Sequence, residues 1–261
     1  MRVRPAVPLA LLTVLGGAFT AAQLAFAAPA VGPVAASSAR PASEPVPAAA
    51  PSVWRRPRPA RQRGHSIAEV RGSVGLSDRP GGPATTSIAS TTEFGSPRVL
   101  SVAARRGRWL GVVVTERPNG RLAWVRRDHP ALRLRTTRWS LHADLSARTL
   151  TLRRDGRRVR RLSVAVGAAG SSTPTGRFAV TDKMTGSRFG AYYGCCILAL
   201  SGHQTNTPAG WKGGDRLAIH GTSAPGTIGM AASAGCLRAA DADLQVLMSR
   251  MPLGTPVFVH S

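Results

Sequence analysis

HGTSAPGTIGMAASAGCLR, residues 220–238, places a histidine and a cysteine sixteen positions apart, His220 at the head of the stretch and Cys236 near its end. A short hydrophobic run, Leu217 to Ile219, leads into His220, and the loop that follows is rich in Gly, Pro and Ser. A free thiol has a pKa of about 8.5 and is mostly protonated at neutral pH. A nucleophilic cysteine therefore needs a base beside it, and backbone N–H groups to take the charge that develops on the carbonyl it attacks. Gly235, immediately before Cys236, lets the backbone approach a substrate.

Downstream of Cys236, Asp241 or Asp243 begins a helix, because carboxylates favour a helix N-terminus. Leu244, Leu247, Met248 and Met251 recur at helical spacing and form its core stripe. Pro252 and Gly254 end the helix, and Val257 to Val259 reads as a closing strand.

Upstream, Leu141, Ala143 and Leu145 alternate, as do Leu150 and Leu152, and Leu162, Val164 and Val166 alternate after an Asp155-Gly156 hairpin turn. The loop GAAGSSTPTGRF, residues 167–178, precedes another strand, and Tyr192 to Leu200 is an apolar run. Between Ile88 and Leu134, short β-type runs at Arg98 to Val102, Trp109 to Thr115 and Arg121 to Val125 predict a small β module over 86–136, similar to bacterial SH3-like domains. Pro118-Asn119-Gly120 supplies its hairpin signal, across which Trp109 and Trp124 are expected to pack. Residues 28–85, rich in Pro, Ala, Arg and Ser, read as a spacer that buries no core of its own, with a short ordered patch around Ile67 to Leu76 as the alternative.

The charge is strongly one-sided: 35 Lys and Arg against 12 acids, net +23, with Lys183 and Lys212 the only lysines. Guanidinium forks suit phosphate and carboxylate, so anionic cell-envelope polymers are candidate partners. The same bias is what an arginine-rich genome produces. The aromatic interleaving of a single-strand binder is missing, and nucleic acid is not expected as a partner. Arg2 and Arg4, the apolar run Val7 to Ala22 and Ala25-Phe26-Ala27 make residues 1–27 a signal peptide or signal anchor. They imply export, with membrane contact only through this segment if it stays uncleaved.

Three cysteines leave an exported chain with an odd thiol. Cys195 and Cys196 face opposite sides of an extended segment and read as small apolar fillers. No C-x-x-C spacing supports a zinc site built from them with His203 or His220, so no metal is expected.

Three blocks in order, STPTGRF (172–178), IHGT (219–222) and SAGCLR (233–238), followed by a helix and GTPVFV, resemble the L,D-transpeptidase (YkuD-type) catalytic domain of bacterial cell-wall enzymes. The resemblance covers 137–261 and implies a mainly β, sandwich-like domain with a C-terminal helix. It further implies Cys236 as nucleophile, His220 as its base, and Gly221 as the residue whose carbonyl orients the histidine. Acyl transfer between peptidoglycan stem peptides would need no cofactor. Gly235 and Cys236 are the expected oxyanion donors, with Ser233 holding the turn or lining the pocket. Arg238 would either grip a substrate carboxylate or cap the loop through backbone carbonyls. Tyr193 and Trp211 would stack on the donor stem or pack in the interior. One departure stands out: Ala234 occupies a position where many members have histidine, which leaves His203 as an alternative helper. His65, His129, His142 and His260 lie outside the three blocks and carry no assigned chemistry.

Overall fold

The structure is a computed structural model that describes residues 64–261. The expected signal segment, and the spacer as far as residue 63, lie outside the described residues. Ordered strands begin earlier than expected. β1 (His65–Val70) and β2 (Val74–Ser77) lie wholly inside the stretch read as spacer, and β3 (Ala84–Ile88) begins at its end. The reason is burial: Ile67, Ala68, Val70, Val74 and Leu76 are all covered, a short alternation hidden among Arg, Ser and Gly.

With β4 (Val99–Arg106), β5 (Trp109–Val113), β6 (Ala123–Arg126) and β7 (Leu132–Thr137), these strands form a seven-stranded antiparallel sheet in the order β3-β2-β6-β5-β4-β1-β7. Its core is its own, centred on Leu76, Leu100, Leu110, Val112 and Val125. The turn at Pro118 to Arg121 forms as expected, with Gly120 at φ 79°. Trp109 and Trp124 do not meet across it. The register sets Trp124 opposite Gly111 and Trp109 opposite Arg126, so the indole packs over the position that lacks a side chain.

The remaining residues form a second unit around β8 (Trp139–Asp144), β9 (Thr149–Arg154), β10 (Arg157–Ser163), β11 (Val166–Gly167), β12 (Gly176–Thr185), β13 (Cys196–His203), β14 (Arg216–His220), β15 (Ala231–Ser233), β16 (Leu237–Arg238), α1 (Asp241–Arg250) and β17 (Pro256–His260). Eight of these strands make one sheet in the order β10-β9-β8-β17-β12-β13-β14-β16, and β11 pairs with β15. The chain is mainly β with a single α-helix among the described residues. Asp155 and Gly156, at φ 52° and 75°, form the two-residue turn joining β9 to β10. The last strand does not close an edge. β17 inserts between β8, to which it is parallel, and β12, to which it is antiparallel.

The expected helix stripe is the lid of the core: Leu244, Leu247 and Met251 are fully buried against Leu198, Ile219 and Leu237. The two units brace one another. Asn119 donates its amide to the His203 carbonyl at 2.6 Å and accepts the His203 N–H at 2.9 Å, while Arg177 donates to the Val102 carbonyl at 2.8 Å. Leu244→Ala is expected to cost about 2–5 kcal/mol, because the cavity lies in a packed core. The exposed Gln245→Ala should stay within about 0.5 kcal/mol. Denaturant midpoints with unchanged m-values measure both.

Candidate active site

Strand pairing assembles the site at one edge of the eight-stranded sheet. β14 and β16 run parallel, with Ile219 beside Leu237 and His220 beside Arg238. Cys236, just before β16, therefore stands next to β14 at roughly one strand spacing, about 4.8 Å. The thiol donates to the Arg216 carbonyl at 3.9 Å. Cys236 is half-buried and is the one free cysteine among the described residues.

His220 is fully buried. Its Nδ1 lies 2.6 Å from the Gly221 carbonyl oxygen, and a carbonyl only accepts, so Nδ1 carries the proton. Nε2 keeps a lone pair, is buried, and has no partner among the described residues. Burial pushes the imidazole down to about 4, against the opposing Gly221 bond, with the Arg238 charge adding to the fall. Burial likewise pushes the Cys236 thiol up to about 11, despite the Ala218 N–H and Arg238. The resting pair is therefore a neutral thiol and a neutral imidazole with one open acceptor.

The Gly221 carbonyl is itself held in place. Asp241, at the start of α1, accepts the Thr222 N–H at 3.3 Å and the Cys195 N–H at 3.0 Å. A Cβ on Gly221 would collide with Asp241 Oδ1, so that position has to be glycine. Asp241 is readable in the sequence only as a helix starter; its second task depends on a contact across 19 or more positions.

Ser233 takes the turn role. Its hydroxyl donates to the Cys236 carbonyl at 2.6 Å and accepts the Gly235 N–H at 3.1 Å. That second bond corrects an expectation, because the Gly235 N–H is already engaged and is not open to an oxyanion. The Cys236 N–H has no acceptor among the described residues. Arg238 does not cap the loop. Its guanidinium bonds the Tyr192 hydroxyl and lies 4.7 Å over the Tyr192 ring, buried. Tyr193 is half-buried, its ring edge-on to His220 at 4.9 Å, and burial followed by the nearby Cys236 raises its hydroxyl pKa. Trp211 meets Tyr192 at 6.0 Å and donates to the Gly214 carbonyl.

Two further expectations change. Cys195 and Cys196 are not fillers facing opposite sides: they are joined to each other in a disulfide, directly after the turn that ends at Gly194. His203 is no substitute base: its Nδ1 faces Asp215 at 3.0 Å and its Nε2 faces the Thr115 carbonyl at 2.8 Å. Among the described residues no group of three or more His, Cys, Asp or Glu is placed to hold a metal, and no helix is long and apolar enough to cross a membrane.

The residue that sequence reading missed is Gln204. It is buried, and its amide donates to the carbonyls of Ser171 at 2.9 Å, Ser172 at 3.1 Å and Ala234 at 3.1 Å. One side chain thus ties the STPTGRF loop to the loop that carries Cys236. Gly235, at φ 117°, is obligatory here, since a Cβ would strike the same amide. The only signal for this was a polar residue at the end of an apolar run.

The profile of the L,D-transpeptidase catalytic domain, YkuD, matches residues 138–259. The putative L,D-transpeptidase YkuD of Bacillus subtilis (strain 168) is 33% identical over 127 residues, covering 48% of this chain and 68% of that protein. Its counterpart in Bacillus licheniformis is 33% identical over 126 residues, covering 48% and 67%. Among solved structures, an L,D-transpeptidase from Mycobacterium smegmatis aligns at 20% identity and a TM-score of 0.38, over 54% of this chain and 73% of that one. Three motif blocks in order and relatives matched over two thirds of their length lead to one assignment: the chain belongs to the L,D-transpeptidase (YkuD) catalytic-domain family.

Proposed function

We propose that this protein is an exported peptidoglycan L,D-transpeptidase that uses Cys236 as nucleophile and forms 3→3 cross-links. The observation that carries the reading is the single open acceptor, His220 Nε2, buried at the strand edge that also presents Cys236. In the first step the thiol leaves the Arg216 carbonyl and gives its proton to His220, while sulfur attacks the carbonyl joining the third stem residue to the terminal D-alanine. The Cys236 N–H, which has no acceptor among the described residues, takes the resulting oxyanion in this reading. As the tetrahedral intermediate collapses, the imidazolium protonates the leaving amine, D-alanine departs and a thioester remains. An amine from a second stem then attacks the thioester, His220 takes its proton, and the thiol is regenerated as the cross-link forms.

A cleft of about 520 Å³ beside this loop, lined by Thr115 to Asn119, His203 to Thr205 and Asp215, offers a path for the second stem. Its two carboxylates, Glu116 and Asp215, are held by Arg98 and His203, and Arg117 lines the same cleft. Hydrolysis of the same thioester is the competing outcome. The N-terminal Arg2, Arg4 and apolar run support action outside the cytoplasmic membrane.

Incubation with a disaccharide-tetrapeptide, read by mass spectrometry, is expected to give D-alanine and a cross-linked dimer. Cys236→Ala should give neither, and equal products from both proteins would end the assignment. Monomeric tripeptide without dimer would instead mean hydrolysis. Because both groups are neutral across the physiological range, kcat/KM for D-alanine release should stay level from about pH 6 to about pH 8. It should fall only as pH drops toward 4, where His220 binds a proton and stops accepting one; an acid limb near 6.5 would contradict the buried neutral pair. Gln204→Ala is expected to lower kcat by about one to two orders of magnitude with KM little changed, because the Cys236 loop loses its tie to residues 171–172. Steady-state kinetics alongside a thermal melt separate this from unfolding.

A further inference from the structure

A second cavity lies away from the thiol. It encloses about 300 Å³ and is lined by His65, Ser140, His142, Arg153, Arg157 and Phe258, with the Asp155-Gly156 turn at its rim. Ser140, His142 and Arg153 alternate along β8 and β9 with the core residues Leu141, Ala143 and Leu152, so they project from the face of the sheet opposite the core. Between this cavity and the β14–β16 edge lie β12 and β13.

The lining has the chemistry of an anion receptor. Arg153 is half-buried and its Nε is a buried donor without a partner. Neither Arg153 nor Arg157 forms an ion pair among the described residues, whereas the Asp155 carboxylate at the rim is bonded by Arg138. The hairpin around the cavity adds Arg154, Arg158 and Arg161, while Arg160 is paired with Asp243, and its outer strand β10 is an exposed sheet edge. His142 and Ser140 contribute short neutral hydrogen-bonding groups, 3.1 Å apart. Burial, then Arg153, holds the imidazole down at about 4, so it remains neutral and repels no cation of its own. Phe258 forms the apolar wall, but it stacks on His142 at 4.8 Å and lies under the Arg177 guanidinium at 5.4 Å. With His65 at 6.1 Å the ring is already engaged by three neighbours, and a nucleobase would have to displace one of them to stack.

We propose that this cavity binds one phosphate-bearing sugar or polyol unit, with Arg153 and Arg157 gripping the phosphate oxygens. Guanidinium forks match tetrahedral phosphate geometrically, and the cavity is at the small end of the range for ligand sites. The surrounding arginines raise the local anion concentration. Such a unit can be a free sugar phosphate or one link of a phosphodiester polymer. In the second case the site would moor the enzyme to an anionic polymer while the opposite sheet edge stays free for chemistry.

The full chain is titrated by calorimetry with inorganic phosphate, with glucose 1-phosphate, with a short poly(glycerol phosphate), and with a single-stranded oligodeoxynucleotide of equal charge. Glucose 1-phosphate is expected to bind at one site and more tightly than inorganic phosphate. Arg153→Gln and Arg157→Gln should each weaken it at least about fivefold, and together about fiftyfold, while D-alanine release is unchanged. Arg157 is exposed, so its variant keeps the test valid even where Arg153→Gln loses the fold. A polymer arm that exceeds the monomer arm, with the same dependence on both arginines, identifies the phosphodiester source; equal arms identify the free sugar phosphate. Non-saturable binding, wild-type affinity in both variants, or an oligonucleotide that binds as tightly as the polymer would each overturn the proposal.

Discussion

The Gly221 carbonyl, 2.6 Å from His220 Nδ1, is the contact on which the rest of the site depends. It fixes which ring nitrogen is protonated and therefore which one is free to accept. A carbonyl on a loop would be a poor anchor if the loop could move. Here the next residue, Thr222, is bonded to Asp241 at the start of α1, and the same carboxylate holds the Cys195 N–H at the end of the disulfide-bearing turn. The helix in turn sits on Leu198 of β13 and on Ile219 and Leu237, core residues of the two strands beside which His220 and Cys236 stand. Local hydrogen bonding and core packing therefore serve one purpose, the orientation of a single imidazole.

Burial both helps and hinders this arrangement. A dry site keeps the imidazole unprotonated and available, but it also raises the thiol, so there is no standing thiolate of the kind many reactive cysteines rely on. Arg238 works against the second effect by lowering both groups, while its own charge is shared with the Tyr192 ring and hydroxyl. In the mechanism proposed above, proton transfer is coupled to attack, when a substrate carbonyl takes up charge beside the Cys236 N–H. A neutral resting thiol also resists incidental oxidation, which is useful to a chain whose other two cysteines are already oxidised.

Features set by short-range chemistry were readable from the sequence. The Asp155-Gly156 turn, the alternation of Leu141 and Ala143, and the stripe of α1 all rest on local periodicity or on a short turn signal. What escaped reading was long-range. β1 to β3 contain few apolar residues per strand, and their burial depends on partners up to about 70 positions away, as in the Ile67 and Arg135 pairing. The task of Gln204 and the second task of Asp241 are side chain to backbone contacts across loops, for which residue type carries no signature. The Gly235 N–H looked free only because the Ser233 hydroxyl could not be placed without the turn.

The absence of histidine at position 234 becomes intelligible through this same long-range bonding. A methyl side chain there contributes nothing polar, yet the Ala234 carbonyl is bonded by Gln204, and Gln204 is placed by its neighbour His203, whose backbone is clamped on both sides by the Asn119 amide. His203 adds a second clamp, with one ring nitrogen on the Thr115 carbonyl and the other on Asp215. Asn119 and Thr115 both belong to the N-terminal β unit. The loop at position 234 is thus held from outside it, through Gln204, His203 and Asn119 and across the junction of the two sheets. Seen this way the β unit is more than a spacer, because its 115–119 segment sets the position of the loop that carries Cys236.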